Sequence, residues 1–233
     1  MEYREHRAPF SLTPWLACTW ERTGQPGAPV RVLPDGCVDV VWSEGRGAQI
    51  VGTNTTAFLS VVAPGSQVIG ARLRPGAAPA LLGLAPELVR DERAAIEQIL
   101  GDQGARLAAE LEQSTDRRAA LVAWLQRRAQ GADAPDRLVA ATVARLEHPT
   151  SVQAVARELA ISQRALRRRV TSAVGYGPKR LARVLRLRRA LAAARAGGDL
   201  ARVAFEAGYA DQAHFSGDCR ELAGIPPTAL LAE

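Results

Sequence analysis

The chain has 233 residues, of which 47% are hydrophobic, a formal net charge of +6 and a pI of about 10.0. That apolar share is enough to bury one large core or two modest ones, and it excludes a disordered chain. No run of about 18 apolar residues supports a membrane span, and no basic start, apolar run and small-residue cleavage site marks a leader, so a cytoplasmic protein without a membrane partner is expected.

The charge is unevenly placed. Residues 135–233 hold 16 Lys+Arg against 9 Asp+Glu, while residues 1–134 hold 14 against 15. A basic excess confined to one end is the footprint expected for a polyanion partner. Cys18, Cys37 and Cys219 are odd in number and far apart, with no CxxC pair and no nearby histidine pair. They predict buried free thiols, and no disulfide framework, metal or other cofactor is expected.

In chain order, Arg31-Val32-Leu33 leads through the turn tripeptide Pro34-Asp35-Gly36 into the β-branched run Cys37 to Trp42. Ile50-Val51, Phe58 to Val62 and Val68 to Leu73 repeat the pattern between Gly and Pro breaks. Short strands at this spacing suggest a small barrel or sandwich. From about residue 77 the character turns helical, with segments near Glu92–Leu100, Gly104–Gln113 and Asp116–Gln130. Gly131-Ala132-Asp133-Ala134-Pro135 is the linker candidate, where the charge also shifts.

Beyond the linker the pattern is all helical, and a repeat emerges. Val155-Ala156 matches Val203-Ala204 at an offset of 48, whereas Leu166, Val170, Gly175 and Pro178 match Phe215, Cys219, Gly224 and Pro227 at 49. The second turn is therefore one residue longer than the first. In the first copy Ser151 caps a helix from Val152 to about Leu159, and Ala160-Ile161 turns the chain. Ser162 caps a second helix whose buried face is Leu166, Val170, Ala173 and Val174. Gln163, Arg164, Arg167, Arg168 and Thr171 then point outward, and Arg169 lies nearest the packed face. An exposed, basic helix start suits a DNA major groove, where a bidentate Arg–guanine pair gives about 1–3 kcal/mol of discrimination.

In the second copy Asp199 and Asp211 are the caps and Gly208-Tyr209 the turn. Gln212, Ala213, His214, Ser216 and Gly217 face out, and Gly217 weakens this unit as a reader. A helix from about Pro178 to Ala196 joins the copies. It spans about 27 Å, so the two units could reach successive major grooves about 34 Å apart. Its Arg180, Arg183, Arg186 and Arg189 series either lines the phosphate backbone or forms a solvated stripe.

These segments resemble the DNA-binding domain of the AraC/XylS family. Val203-Ala204-Phe205-Glu206-Ala207-Gly208-Tyr209 with Asp211-Gln212 and His214-Phe215-Ser216 is similar to its most diagnostic stretch. Gly175-Tyr176-Gly177-Pro178, Gly224-Ile225-Pro226-Pro227 and Arg186-Leu187-Arg188-Arg189-Ala190 resemble its other motifs, over about residues 136–231. The resemblance implies base contacts from Arg164, Arg167 and Arg168, and from Gln212, Ala213 or His214. Gly217 stands where the family usually has a basic residue, and Ala223 where a large aromatic is common. The second unit is therefore expected mostly to hold phosphates, through Arg220 and the capped helix start. Residues 31–39 and 70–78 resemble the N-terminal domain of uncharacterised actinobacterial-type members of that family, a domain often barrel-like and sensory.

The expected fold is thus α+β. A β-rich, barrel-like N-terminal domain with helices (1–130) is followed by a linker (131–135) and an all-α domain of two helix-turn-helix units joined by a long helix (136–233). The expected function is sequence-specific transcription regulation on double-stranded DNA. The N-terminal domain would sense a small-molecule effector or pair chains, and RNA polymerase is a further candidate partner. Alternatives are a protein-interaction module, or a repair-type enzymatic module fused to the DNA-binding domain. No nucleophile, acid and base are spaced as a catalytic set, so no enzyme is expected. Arg72 and Arg74 alternate with Leu73 and so share a strand face. With Asp35 and Asp39 they are the candidate effector pocket, the plain alternative being an exposed edge face and an ordinary turn. Trp15, Trp20, Trp42 and Trp124 are expected in the core. Leu121, Trp124 and Leu125 mark a candidate dimer helix.

Overall fold

A computed structural model describes residues 2–24 and 29–233. Strands β1 (Glu2–Arg7), β2 (Leu16–Thr23), β4 (Val38–Ser43), β5 (Gly47–Val51), β7 (Gln67–Leu73) and β8 (Arg93–Ala95) form one antiparallel sheet in the order β1-β2-β7-β4-β5-β8. Strands β3 (Val30–Val32) and β6 (Phe58–Ser60) pair as a separate ribbon. The described strands thus make an open sheet and a ribbon around a cavity, an open version of the barrel-like expectation.

The pleat divides the large sheet cleanly. On β4, Val38, Val40 and Trp42 are buried against helices, while Asp39 and Val41 line the cavity. On β7, Ile69, Ala71 and Leu73 do the same for the core, and Val68 and Arg72 for the cavity. Gly70, on the cavity face between them, leaves room for Trp20, since a Cβ there would stand 2.3 Å from the indole. Helices α1 (Ala78–Leu82), α2 (Ile96–Leu100), α3 (Asp102–Gln113) and α4 (Arg117–Ala129) cover the core face.

Three sequence expectations change here. The helix expected over Glu92–Leu100 is helical only from Ile96, because Arg93–Ala95 pairs with β5 as the edge strand. Leu121, Trp124 and Leu125 are not free to pair chains, since they are 0%, 6% and 0% exposed within the sheet–helix core. Trp15, Trp42 and Trp124 belong to that core, but Trp20 lines the cavity.

The C-terminal region contains α5 (Arg137–Leu146), α6 (Val152–Glu158), α7 (Gln163–Val174), α8 (Pro178–Arg195), α9 (Leu200–Glu206), α10 (Gln212–Asp218) and α11 (Pro227–Ala232), with a π-helical turn at Cys219–Ala223. Four residues separate α6 from α7 and five separate α9 from α10, as the repeat offsets require. Ser151, Ser162, Asp199 and Asp211 all accept backbone N–H bonds as N-caps. The repeat units have separate apolar cores, and α8 serves both. Leu181 and Leu185 enter the first, and Val184, Leu187 and Leu191 the second.

The two turns differ in one informative way. Gly208 has φ +84°, an easy conformation for glycine, but its counterpart Ala160 holds φ +50°. A left-handed alanine costs about 1–2 kcal/mol, part of which glycine returns as lost chain entropy. Ala160→Gly is therefore expected to stabilise the chain by about 0.5–1 kcal/mol, seen as a rise of a few degrees in Tm. A fall in Tm would show that the Ala160 methyl contributes more than its strain costs.

Candidate nucleic-acid interface and effector cavity

Helix α7 presents Gln163, Arg164, Arg167 and Arg168 to solvent, with Thr171 half-buried beside them. Leu166, Val170, Ala173 and Val174 hold its other face in the first core. Among the described residues, Arg164, Arg167 and Arg168 have no ion-pair partner. Arg169 is different: its Nε meets Asp136 Oδ2 at 3.0 Å and ties α7 to the start of α5. The first unit thus has three unneutralised guanidinium groups on one exposed helix face and a fourth that braces it.

On α10, Gln212, Ala213 and His214 are exposed and Ser216 is half-buried, while Arg220 is exposed on the following turn. His214 is held inside the unit: its Nε2 lies 3.2 Å from Arg186 Nη2 and its ring stands edge-on to Tyr209. A Cβ on Gly217 would meet nothing within 4 Å, so this surface offers no side chain.

The arginine stripe of α8 is neither a free phosphate rail nor a solvated face. Arg189 donates to Glu147 O at 2.8 Å and Ala207 O at 2.7 Å, closing the ends of α5 and α9 at once. Arg186 donates to Asp218 Oδ2 at 2.9 Å and lies 4.2 Å over the Tyr209 ring. Arg183 donates to Asp218 Oδ1 at 2.7 Å and to Glu221 Oε1 at 2.8 Å. Arg180 reaches Glu221 Oε1 at 2.9 Å and Thr55 O at 2.7 Å. Asp218 is 3% exposed. Burial alone would raise its pKa, but the bonds from Arg183 and Arg186 outweigh this and hold it below the usual carboxylate range. The stripe is a brace between the two units.

Both turns that follow the second helix of each unit are docked on the N-terminal region. Arg90 Nη1 donates to Gly175 O at 3.1 Å. Ala57 N–H donates to Leu222 O at 2.7 Å, and Arg31 Nη1 to Ala223 O at 2.9 Å. Arg31 also pairs with Glu233 at 3.1 Å. The segments that make these contacts adjoin the cavity, which is lined by β3, β6 and the free face of the large sheet, with Arg188 and Arg195 from α8. Its volume is about 790 Å³, within the range of small-molecule sites.

Asp35, Asp39 and Arg72 meet in this cavity. Arg72 Nε lies 3.3 Å from Asp35 Oδ2 and 3.4 Å from Asp39 Oδ1, and its Nη1 lies 3.4 Å from Glu5 Oε1. Burial pushes the Asp39 carboxyl up, against the pull of Arg72. Arg72 is therefore matched within the protein. Arg74 does not join it: β7 ends at Leu73, and Arg74 is exposed, donating from Nε to Thr13 O at 2.9 Å. The strand face does not extend to Arg74 because the chain turns there, its N–H going to Trp15 O at 2.7 Å. The cavity residues missed in sequence are Arg22, Arg93, Arg188 and Arg195. Only the alternation of Arg22 with Trp20 on β2 could have hinted at them.

Cys18, Cys37 and Cys219 are free and buried, and burial raises each thiol, Cys18 to about 11 and Cys219 to about 12. They are held protonated at neutral pH, a poor basis for a thiolate nucleophile. Among the described residues no helix is long and apolar enough to cross a membrane.

Residues 155–233 match the family model described as a helix-turn-helix domain, of AraC type, and residues 4–95 match a domain of unknown function (DUF6597). No curated protein matches the chain. Among solved structures, the chain is similar to the DNA-binding domain of AdpA, a global transcriptional factor, in complex with a target DNA. Identity is 24% and the TM-score 0.37, over 41% of this chain and 86% of that one. A probable AraC family transcriptional regulator from Rhodopseudomonas palustris CGA009 matches at 22% identity and TM-score 0.35, over 41% of this chain and 92% of that one. ToxT from Vibrio cholerae matches at 9% identity and TM-score 0.47, over 100% of this chain and 98% of that one. Residues 155–233, which hold both capped turns of the repeat, form a helix-turn-helix domain of AraC type.

Proposed function

We propose that residues 136–233 read DNA mainly through α7, that residues 1–130 sense a small molecule in the sheet–ribbon cavity, and that residues 131–135 join them. The observation that carries the reading is the exposed face of α7, where Arg164, Arg167 and Arg168 stand unneutralised beside Gln163 and Thr171. Bidentate guanine contacts need free guanidinium groups. The second unit, with Gly217 exposed and His214 engaged by Arg186, contributes mostly backbone contacts from Gln212, Ala213, Ser216 and Arg220.

The route from cavity to DNA is short. Of the residues that hold the second unit, Arg31 lies within ribbon strand β3 and Ala57 directly precedes β6, and these strands wall the cavity. Arg188 and Arg195 bring α8 to the same cavity. A ligand that binds two arrangements of these elements unequally shifts the disposition of the two units.

The test is a titration of the full chain against duplex DNA from its own upstream region and a scrambled duplex, at several salt concentrations. Preference for the native duplex that persists as salt rises is expected. Equal and steeply salt-dependent binding to both would reduce the interaction to phosphate attraction and overturn sequence reading at that site.

A further inference from the structure

The cavity holds more positive charge than its carboxylates neutralise. Asp35, Asp39 and Glu5 are committed to Arg72, Glu44 accepts from the Gln67 N–H at 3.2 Å, and Arg31 is paired with Glu233. Arg22 is 8% exposed and reaches from β2 to the ribbon, where its Nη2 donates to Ser60 Oγ at 3.3 Å. Among the described residues no carboxylate pairs with it, and burial lowers its pKa. Across the cavity Arg93 lies 3.9 Å over the Phe58 ring. Burial lowers its pKa too, and the charges of Arg46 and Arg22 lower it further, so the three guanidinium groups repel one another. A buried, unpaired cation is costly, and a fold that keeps one inside a cavity is arranged for a counter-charge from outside. The remaining walls are largely apolar, with Trp20, Val41, Val51 and Val68 on the sheet and Val32 on the ribbon.

Building on the effector reading above, we propose that the cavity takes an oxyanion with an apolar body. Its carboxylate or phosphate head lies against Arg22 in the field of Arg93 and Arg46, and its body lies along Trp20 and the valines. Arg22 supplies a planar fork that matches either head group. Arg72 has no part in holding the head, because its own carboxylates already occupy it.

Calorimetry on the full chain with octanoate, octyl phosphate, octanol and octylammonium tests this. At least one of the two anions is expected to bind about tenfold or more tightly than octanol, and octylammonium most weakly. The tighter anion identifies the head group. Arg22→Met should remove the preference for the anion over octanol and raise the Tm of the ligand-free chain, since an unpaired buried cation is replaced by an apolar side chain of similar length. Arg93→Gln, at the solvent-exposed edge strand, should weaken the anion by about three- to tenfold with little change in Tm. Octanol binding as tightly as both anions would overturn the inference and leave the effector reading standing. An undiminished preference in both variants, or binding by none of the four probes, would also overturn it. The DNA titration, which uses no ligand, is unaffected by these outcomes.

Discussion

Asp218→Asn is expected to lower the stability of the chain by about 2–4 kcal/mol, seen as a fall of about 5–15 °C in Tm. Removing one partner of a buried ion pair typically costs about 3–5 kcal/mol, and the value here is set lower because Arg183 and Arg186 keep contact with water. The side chain is 3% exposed and receives both guanidinium groups, one at each oxygen. Asparagine keeps the shape but turns an NH2 toward one of them. The pH dependence has a definite sign. The folded-state pKa is depressed, so the stabilisation is complete above the ordinary carboxylate pKa and disappears as pH falls through the folded value. The stability gap between the native chain and Asp218→Asn should therefore be wide at pH 7 and shrink in strong acid. A fall of less than about 2 °C at pH 7 would show that the brace does not depend on this carboxylate.

Arg164→Ala combined with Arg168→Ala is expected to cost the native duplex about 30- to 1,000-fold in affinity, and a scrambled duplex less than about tenfold. Removing one bidentate arginine–guanine pair costs about 1–3 kcal/mol, and tenfold in affinity corresponds to about 1.4 kcal/mol. Both residues are exposed and neither is ion-paired among the described residues, so the fold should not suffer and Tm should stay within a degree or two. Equal weakening on both duplexes would assign these arginines to phosphates alone. Arg169→Ala serves as the contrast, because it breaks an ion pair to Asp136 inside the unit. It should change Tm more than it changes discrimination.

The parts of this molecule that could be read in advance are those set by local chemistry. Caps at Ser151, Ser162, Asp199 and Asp211 depend on a side chain and the N–H groups two or three residues on. The 48 and 49 offsets place both units without any tertiary knowledge. What could not be read depends on partners far along the chain. Strand β1, with the polar sequence Glu2–Arg7, is defined only by pairing with β2, and β8 only by pairing with β5. The apolar face of α4 has the same period whether it meets its own core or another chain, and here it meets its own core. The α8 arginines look like a phosphate rail until Asp218 and the ends of α5 and α9 are brought beneath them. In the cavity, Asp35, Asp39 and Arg72 come together, but Arg74, which the alternation placed beside Arg72, turns away to Thr13, and Arg22 becomes visible only when β6 lies over β2.

The gene has an obvious place to be cut, at Gly131 to Pro135, but the molecule does not part there. Trp15 Nε1 donates to Asp133 O at 3.0 Å, and Arg31, Ala57 and Arg90 grip carbonyls far beyond the cut. A chimaera that grafts the first 130 residues onto another regulator would lose Arg188 and Arg195 from the cavity wall, and with them the landing points at Gly175, Leu222 and Ala223. Even with each half folded, the hybrid would lack the contacts that join the cavity to the helix-turn-helix units. To keep the two halves in contact, a transplant must carry the outer face of α8 and both of those turns along with the N-terminal region.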